Sequence, residues 1–364
     1  MFISVCIIAY NEEKTIKSVL TDMLSQDYNH NDIEILLVDS ASTDSTKKIM
    51  QEFARRNNEN SGVLHFRDVR VFDNPKRLIP CGWNVALRQY KGDAVIKVDA
   101  HAHIPSDFIS KNVKTLESGE DICGGQRPVL SNDDSKWQNT LLLAESSMFG
   151  SSIAPYRKNP GKTYVKSVFH AAYRRKVFDK VGLPNENLAR TEDNEINYRV
   201  RQAGFKICFN PDIISYQLIR SSLPKMLKQK FENGYWIALT LGVCPGCISI
   251  YHLVPFAFLM AIILSTVFCA IFGSIAATAA GVAVIIRNVI YSLTVLMWGL
   301  YLLIDVGMTA AAVASAGKKR NITCLALPVL FFLLHISYGA GTLAGLLKMP
   351  SWLKGIKDGR NKER

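Results

Sequence analysis

Four short segments carry side chains whose types and spacing could act together on a metal-bound diphosphate. Tyr10-Asn11-Glu12 ends an apolar run at the N-terminus, Asp39 ends a second, and Asp99-Ala100-His101 ends a third, Ala94–Val98. Glu192-Asp193 comes much later, directly after Thr191. An acid with a second ligand-type side chain two residues on can hold a divalent cation against a diphosphate. The Tyr10 ring can stack on a nucleobase, and the Asp39 carboxylate can bond to the base or ribose. One more carboxylate can then take the proton from an incoming hydroxyl.

Each segment also has a plainer reading. Asp39 alone reads as an Asx turn or helix cap. His101 and His103 face one side of an extended segment and could be polar loop residues. Glu192 and Asp193 suit the first turn of any helix, where acids favour the dipole. Their order along the chain, and the elements that carry them, favour the joint reading.

Those elements alternate. Apolar runs near Ile3–Ala9, Ile33–Val38, Val69–Phe72 and Ala94–Val98 read as buried strands. Between them lie helical patterns, with Ile16, Val19, Leu20, Met23 and Leu24 on one face, Ile49 and Phe53 on the next, and a third helix near Leu78–Tyr90. This is an α/β chain with a mostly parallel, helix-covered sheet. In such sheets ligands bind where strands release the chain at their carboxyl ends. Beyond Asp99, strands are expected at Ile122–Val129, Ser167–Tyr173 and Ile207–Phe209, and a helix opens at Glu192.

The 364 residues are 48% apolar with a net charge of +12, and the two halves differ. Residues 1–220 read as the α/β domain. Residues 221–247 hold an amphipathic helix, with Leu223, Leu227, Phe231 and Tyr235 at i+4 spacing and Lys225, Lys228 and Lys230 among them. Such a helix beside a membrane span reads as interfacial. Residues 248–347 contain one acid, Asp305, and three stretches long enough to span: Ile248–Phe272, Val289–Ala316 and Ile322–Leu347. Gly273–Ile286 is left as a re-entrant, interfacial or fourth short span. Residues 348–364 form a basic tail. The positive-inside rule gives mixed advice: three spans keep Lys318-Lys319-Arg320 cytoplasmic but put the tail outside, and four reverse this.

The N-terminal run has no basic lead and reads as a strand, not a signal peptide. A cytoplasmic catalytic domain on a multi-pass protein of the inner membrane follows. Eight scattered cysteines form no disulfide framework, and Cys244-x-x-Cys247 reads as a membrane-proximal turn around Pro245-Gly246. Basic residues concentrate beside the apolar segments, which suits membrane lipids and phosphorylated substrates. No zinc-finger, RNP or helix-turn-helix pattern points to nucleic acid. Self-association is left open. No G-x-G-x-x-G follows the first strand, which disfavours a nicotinamide enzyme.

Ile7-Ile8-Ala9-Tyr10-Asn11-Glu12, Leu37-Val38-Asp39-Ser40-Ala41-Ser42-Thr43-Asp44, Val98-Asp99-Ala100-His101 and Thr191-Glu192-Asp193 together resemble glycosyltransferase family 2, the inverting GT-A fold enzymes. Asn74-Pro75-Lys76-Arg77 and Gly82-Trp83-Asn84 resemble the stretch before that family's metal motif. Asp99-Ala100-His101-Ala102 and His335-x-x-Tyr338-Gly339-x-Gly341 are similar to membrane-bound succinoglycan-type exopolysaccharide glucosyltransferases. The resemblance covers about residues 3–205. It implies that Ala9, Tyr10, Glu12 and Asp39 hold the nucleotide, that Asp99 and His101 hold manganese or magnesium, and that Asp193 is the base. It also implies a nucleotide-sugar donor, a UDP-sugar such as UDP-glucose, and a polyprenyl-diphosphate-linked saccharide acceptor. Acceptor or phosphate contacts are expected from Glu192, Lys228, Gln229, Lys230 and Trp236. Two features depart from the family: His101 stands where a second Asp is usual, and Glu232 stands where an Arg is common. A processive synthase of the same fold and a non-catalytic scaffold are the alternatives.

Overall fold

In the computed structural model, residues 1–59, 65–130, 135–150, 161–218, 222–275 and 281–359 are described. The first half alternates as expected: β1 (Ile3–Ala9), α1 (Ile16–Leu24), β2 (Ile33–Asp39), α2 (Thr46–Asn58), β3 (Asp68–Asp73), α3 (Ile79–Gln89) and β4 (Ala94–Asp99). Next come β5 (Ala102–His103), α4 (Phe108–Glu117), β6 (Ile122–Gln126), β7 (Val129–Leu130) and α5 (Lys136–Ser146). β8 (Thr163–Val165), β9 (Phe169–Arg174), α6 (Arg175–Val181), α7 (Glu192–Gln202), β10 (Ile207–Ile214) and β11 (Tyr216–Leu218) complete the domain. The remainder is helical: α8 (Leu223–Leu241), α9 (Val254–Ile275), α10 (Val282–Ser315) and α11 (Leu327–Lys357).

Among the described residues, eight strands form one sheet in the order β3-β2-β1-β4-β9-β6-β10-β8. The first four are parallel, and β9 and β8 run antiparallel to their neighbours. β2 is buried at every position, as a central strand covered on both faces must be. Ile7, Ile35, Leu37 and Ile96 pack under α1 and α4 on one face, while Leu36, Val38 and Val95 meet α3, α6 and α7 on the other. The register sets the level of the site. Ala9 lies opposite Asp39, and Ile8 opposite Asp99, so three chain segments leave the sheet at one height.

α8 is not a helix lying alone at an interface. Along its length it rests on the α/β domain: Met226 packs with Leu141 and Leu143, Asn233 accepts a hydrogen bond from Arg190, and the Thr240 and Thr191 hydroxyls are 2.6 Å apart. Its other side is covered by α11 through small residues. A side chain at Gly234, Gly341 or Gly345 would run into the backbone of the facing helix, at Tyr338, Phe231 and Tyr235 respectively. Close backbone approach of this kind needs glycine.

Two expected features meet this layering. Lys230, expected among the acceptor or phosphate contacts, is buried and 3.0 Å from Glu145. The α8–α11 contact turns that face of α8 inward, where an ammonium needs a carboxylate partner. The basic tail was read as separate from the third apolar stretch, but α11 continues through Pro350 to Lys357. Residues 360–364 lie outside the described residues.

Among the described residues, three helical stretches are long and apolar enough to cross a membrane: Ile250–Ile271, Val284–Ser315 and Ile322–Lys357. α9 and α10 form an antiparallel hairpin, with Phe258 stacked on Tyr301 at 4.3 Å and the Tyr291 hydroxyl bonded to the Cys269 carbonyl. Of the stretch Gly273–Ile286, the described residues belong to the end of α9 and the start of α10, and 276–280 lie outside the described residues. The hairpin's outer face exposes Ile263, Val267, Leu293, Val295 and Leu303, a surface suited to lipid. Asp305 is buried within it. Cys244–Cys247 closes a turn, and both cysteines are free thiols.

Candidate active site

β1 ends at Ala9, and the chain turns sharply through Asn11, whose φ of 54° lies in the left-handed region. Asparagine tolerates that region by bonding locally, and here its Oδ1 accepts the Thr43 N–H at 2.8 Å. The turn ties the β1 and β2 loops together. It also leaves Tyr10 exposed at the rim, with the Arg77 guanidinium 5.9 Å from its ring centre.

Asp39 is fully buried at the end of β2. One oxygen, Oδ2, accepts the Ser42 N–H at 3.2 Å, as the plainer reading expected. The other, Oδ1, is buried with no hydrogen-bond partner. A buried unpaired carboxylate oxygen is costly, and the N–H of a bound base or the hydroxyl of a ribose would satisfy it.

Asp99 ends β4 beside a residue that the sequence reading missed. His170 of β9 is buried with φ 46°, and its Nε2 accepts the Asp99 backbone N–H at 3.1 Å. That bond places the ring proton on Nδ1. Burial lowers the imidazole's proton affinity and keeps it neutral, against the pull of Asp99. Burial works against ionisation of Asp99, but its polar surroundings, the Lys97 ammonium among them, hold the carboxyl below the usual range.

His101 faces Glu12, with Nδ1 3.0 Å from Glu12 Oε1. Glu12, expected at the nucleotide, bonds His101 and accepts from the Thr15 hydroxyl. A carboxylate on one ring nitrogen fixes the tautomer and leaves the lone pair on Nε2, the arrangement typical of metal-binding histidines. His103 points elsewhere, to Asp22 at 2.7 Å.

Among the described residues, no cluster of three His, Cys, Asp or Glu side chains could hold a metal without help. Asp99 and His101 could offer two ligands, and a substrate diphosphate and water would supply the rest, as suits a weakly held magnesium or manganese ion. An ionised Asp99 and an oriented His101 fit that group. Imidazole favours manganese over magnesium.

Glu192 and Asp193 open α7 next to Lys97, a second residue that the sequence reading passed over. Lys97 Nζ is 3.2 Å from Glu192 Oε1, joining the metal-site strand to the acidic helix. Burial would lower the lysine's proton affinity, but Glu192, Asp99 and Asp193 raise it above its ordinary value. Burial raises both acids against the attraction of Lys97, and for Glu192 the neighbouring Asp193 charge adds to the rise. Glu192 is buried in this ion pair, whereas Asp193 is exposed. An exposed carboxylate beside this buried ion pair can be reached by an incoming hydroxyl, as a general base must be.

Comparison with known proteins agrees with this geometry. Residues 4–182 match the glycosyl transferase family 2 model. Those residues form a glycosyltransferase family 2 domain. The transferase is 28% identical to a dolichyl N-acetyl-alpha-D-glucosaminyl phosphate 3-beta-D-2,3-diacetamido-2,3-dideoxy-beta-D-glucuronosyltransferase of Methanococcus voltae, over 97% of this chain and 99% of that protein. It is 27% identical to the succinoglycan biosynthesis protein ExoA of Rhizobium meliloti, over 55% of this chain and 58% of that one. In structure it resembles the mannosyltransferase PcManGT from Pyrobaculum calidifontis, solved with GDP-Man and Mn2+. That match has a TM-score of 0.51 at 17% identity and covers 96% of this chain and 87% of that one. This last likeness bears on the fold, which is GT-A.

The remaining predicted contacts fall on α8. Lys228 is exposed, 3.9 Å from Glu232, and Gln229 is half-buried. Trp236 lines a cleft facing the domain.

Proposed function

We propose that the transferase moves a sugar from a nucleotide-sugar donor to a polyprenyl-linked saccharide carrying a phosphate or diphosphate, with inversion at the anomeric carbon. The observation that carries this reading is the convergence at one sheet edge of Asp39, Asp99, His101 and, on α7, Asp193. Tyr10 would stack on the base and Asp39 Oδ1 would take its bond from the base or ribose. Asp99 and His101 would hold the metal, which when bound would offset charge on the departing nucleoside diphosphate. Asp193 would accept the acceptor hydroxyl's proton as that oxygen attacks the anomeric carbon opposite the leaving group. The M. voltae relative, matched over nearly its whole length, is named for a dolichyl-phosphate-linked acceptor, which supports the acceptor class.

The test is calorimetric titration of the full chain in detergent with UDP, GDP, CDP and TDP, with and without manganese. Metal-dependent binding of one of them, UDP by expectation, supports the reading. Absence of binding by a folded sample leaves the scaffold alternative. UDP-glucose is the first donor to assay.

We also propose that the catalytic domain is cytoplasmic on the inner membrane and that the α9–α10 hairpin is the inserted part. α11 follows α8, and α8 follows the domain, so a spanning α11 would drag the domain base into the bilayer. With α11 at the interface, Lys318-Lys319-Arg320 and the basic tail share the cytoplasmic side, which resolves the conflict over positive charge. A cysteine placed after Lys357 is expected to resist an impermeant thiol reagent in sealed cells and to react once they are opened. Labelling in sealed cells would put the tail outside and make α11 a span.

A further inference from the structure

A cleft of about 440 Å³ lies between the domain and α8. Two cations meet there. Arg77 stands exposed beside Tyr10, and among the described residues it makes no ion pair. Arg190 is held at 3.1 Å by Glu232 and by Asn233, three residues before Asp193. The remaining walls are apolar or aromatic: Ile79, Phe231, Tyr235 and Trp236. Ile79 and Phe231 are 44% and 38% exposed, large for apolar side chains unless something covers them. Trp236 meets Trp352 of α11 edge-on at 6.3 Å, and Trp and Tyr concentrate at headgroup depth.

Paired guanidinium groups recognise phosphate. A free nucleotide has no use for the exposed apolar wall, and a neutral lipid has none for the arginines. An anionic head on a hydrocarbon tail satisfies both. We infer that this cleft seats the phosphate end of a prenyl-phosphate lipid, with Arg77 and Arg190 as its cationic contacts and Ile79 and Phe231 against the first isoprene units. The assignment rests on the acceptor class proposed above and deepens it. The saccharide attached to that phosphate would extend past Arg190 toward Asp193. Glu232 opposes the anion and shares Arg190 with it, so it limits affinity.

The probe is farnesyl phosphate, titrated into the full chain in detergent, with UDP and manganese titrated in parallel. Ile79→Asp, an acid at a helix start where it is tolerated, and Arg190→Gln are each expected to weaken farnesyl phosphate binding about tenfold or more. Glu232→Gln is expected to strengthen it, an opposite sign that a folding defect would not produce. UDP affinity is expected to stay unchanged in Ile79→Asp. Inorganic phosphate at equal concentration is expected not to displace the lipid; equal displacement would overturn the lipid assignment. Unchanged farnesyl phosphate affinity in both weakening variants, or a loss of UDP affinity in Ile79→Asp, would overturn the cleft assignment while leaving the proposed function intact. A wild-type chain that binds UDP but no farnesyl phosphate would overturn the acceptor class as well.

Discussion

Asp193→Asn is expected to lower the transfer rate by about 10²–10⁴-fold, the range for loss of a general base, with nucleotide affinity unchanged. The amide keeps the shape and loses only the proton acceptor. Burial raises the Asp193 carboxyl, so it binds its proton more tightly than an ordinary aspartate. The base therefore stops working as pH falls through that raised value. The acid limb of kcat/KM should lie above the ordinary aspartate range of about 4. The same sign applies to stability. A carboxyl that binds its proton more tightly when folded costs the fold stability when ionised at neutral pH. The Asn variant should melt no lower than wild type. Transfer near the wild-type rate, or a lowered melting temperature with the same loss, would remove Asp193 from the base role.

Asp99→Asn is expected to reduce nucleotide affinity in manganese by at least about 10–100-fold, the range seen when support of a metal ligand is removed. Affinity without metal should not change. The His170 contact uses the Asp99 backbone N–H, so the substitution leaves it in place and the β4–β9 junction should stay folded. Calorimetry with and without manganese separates the two terms. Equal affinity of variant and wild type in manganese would show that Asp99 holds no metal.

Much of the site could be read before the fold. Asp39, Asp99 and Asp193 each close or open an element whose periodicity is plain, and parallel strands joined by helices must release their chains at one edge. Lys97 and His170 escaped that reading. Lys97 looks like a polar residue inside a buried strand, and its meaning appears when α7 brings Glu192 within 3.2 Å. His170 lies 71 residues from Asp99, and nothing local marks it. Glu12 was legible as a site residue but not as the partner of His101, because a carboxylate three residues past a strand can turn either way.

The membrane half divides in the same manner. Hydropathy alone marks the three long apolar stretches, since length and composition decide whether a helix can cross. It could not say which of them pack against the rest of the protein. α11 has the composition of a span, but Gly341 and Gly345 let it press against α8, and α8 carries the domain on its other side. The same packing buried Lys230 against Glu145 and opened the cleft lined by Arg77 and Arg190. Local pattern by itself determined the α/β sheet, the strand-end acids and the apolar helices, because strand and helix periods are properties of neighbouring residues. The partners of those acids, the side of α8 that faces inward and the walls of the cleft were decided only by tertiary structure. They depend on side chains far apart in the chain meeting across a packed interface, and no spacing along the sequence records that meeting.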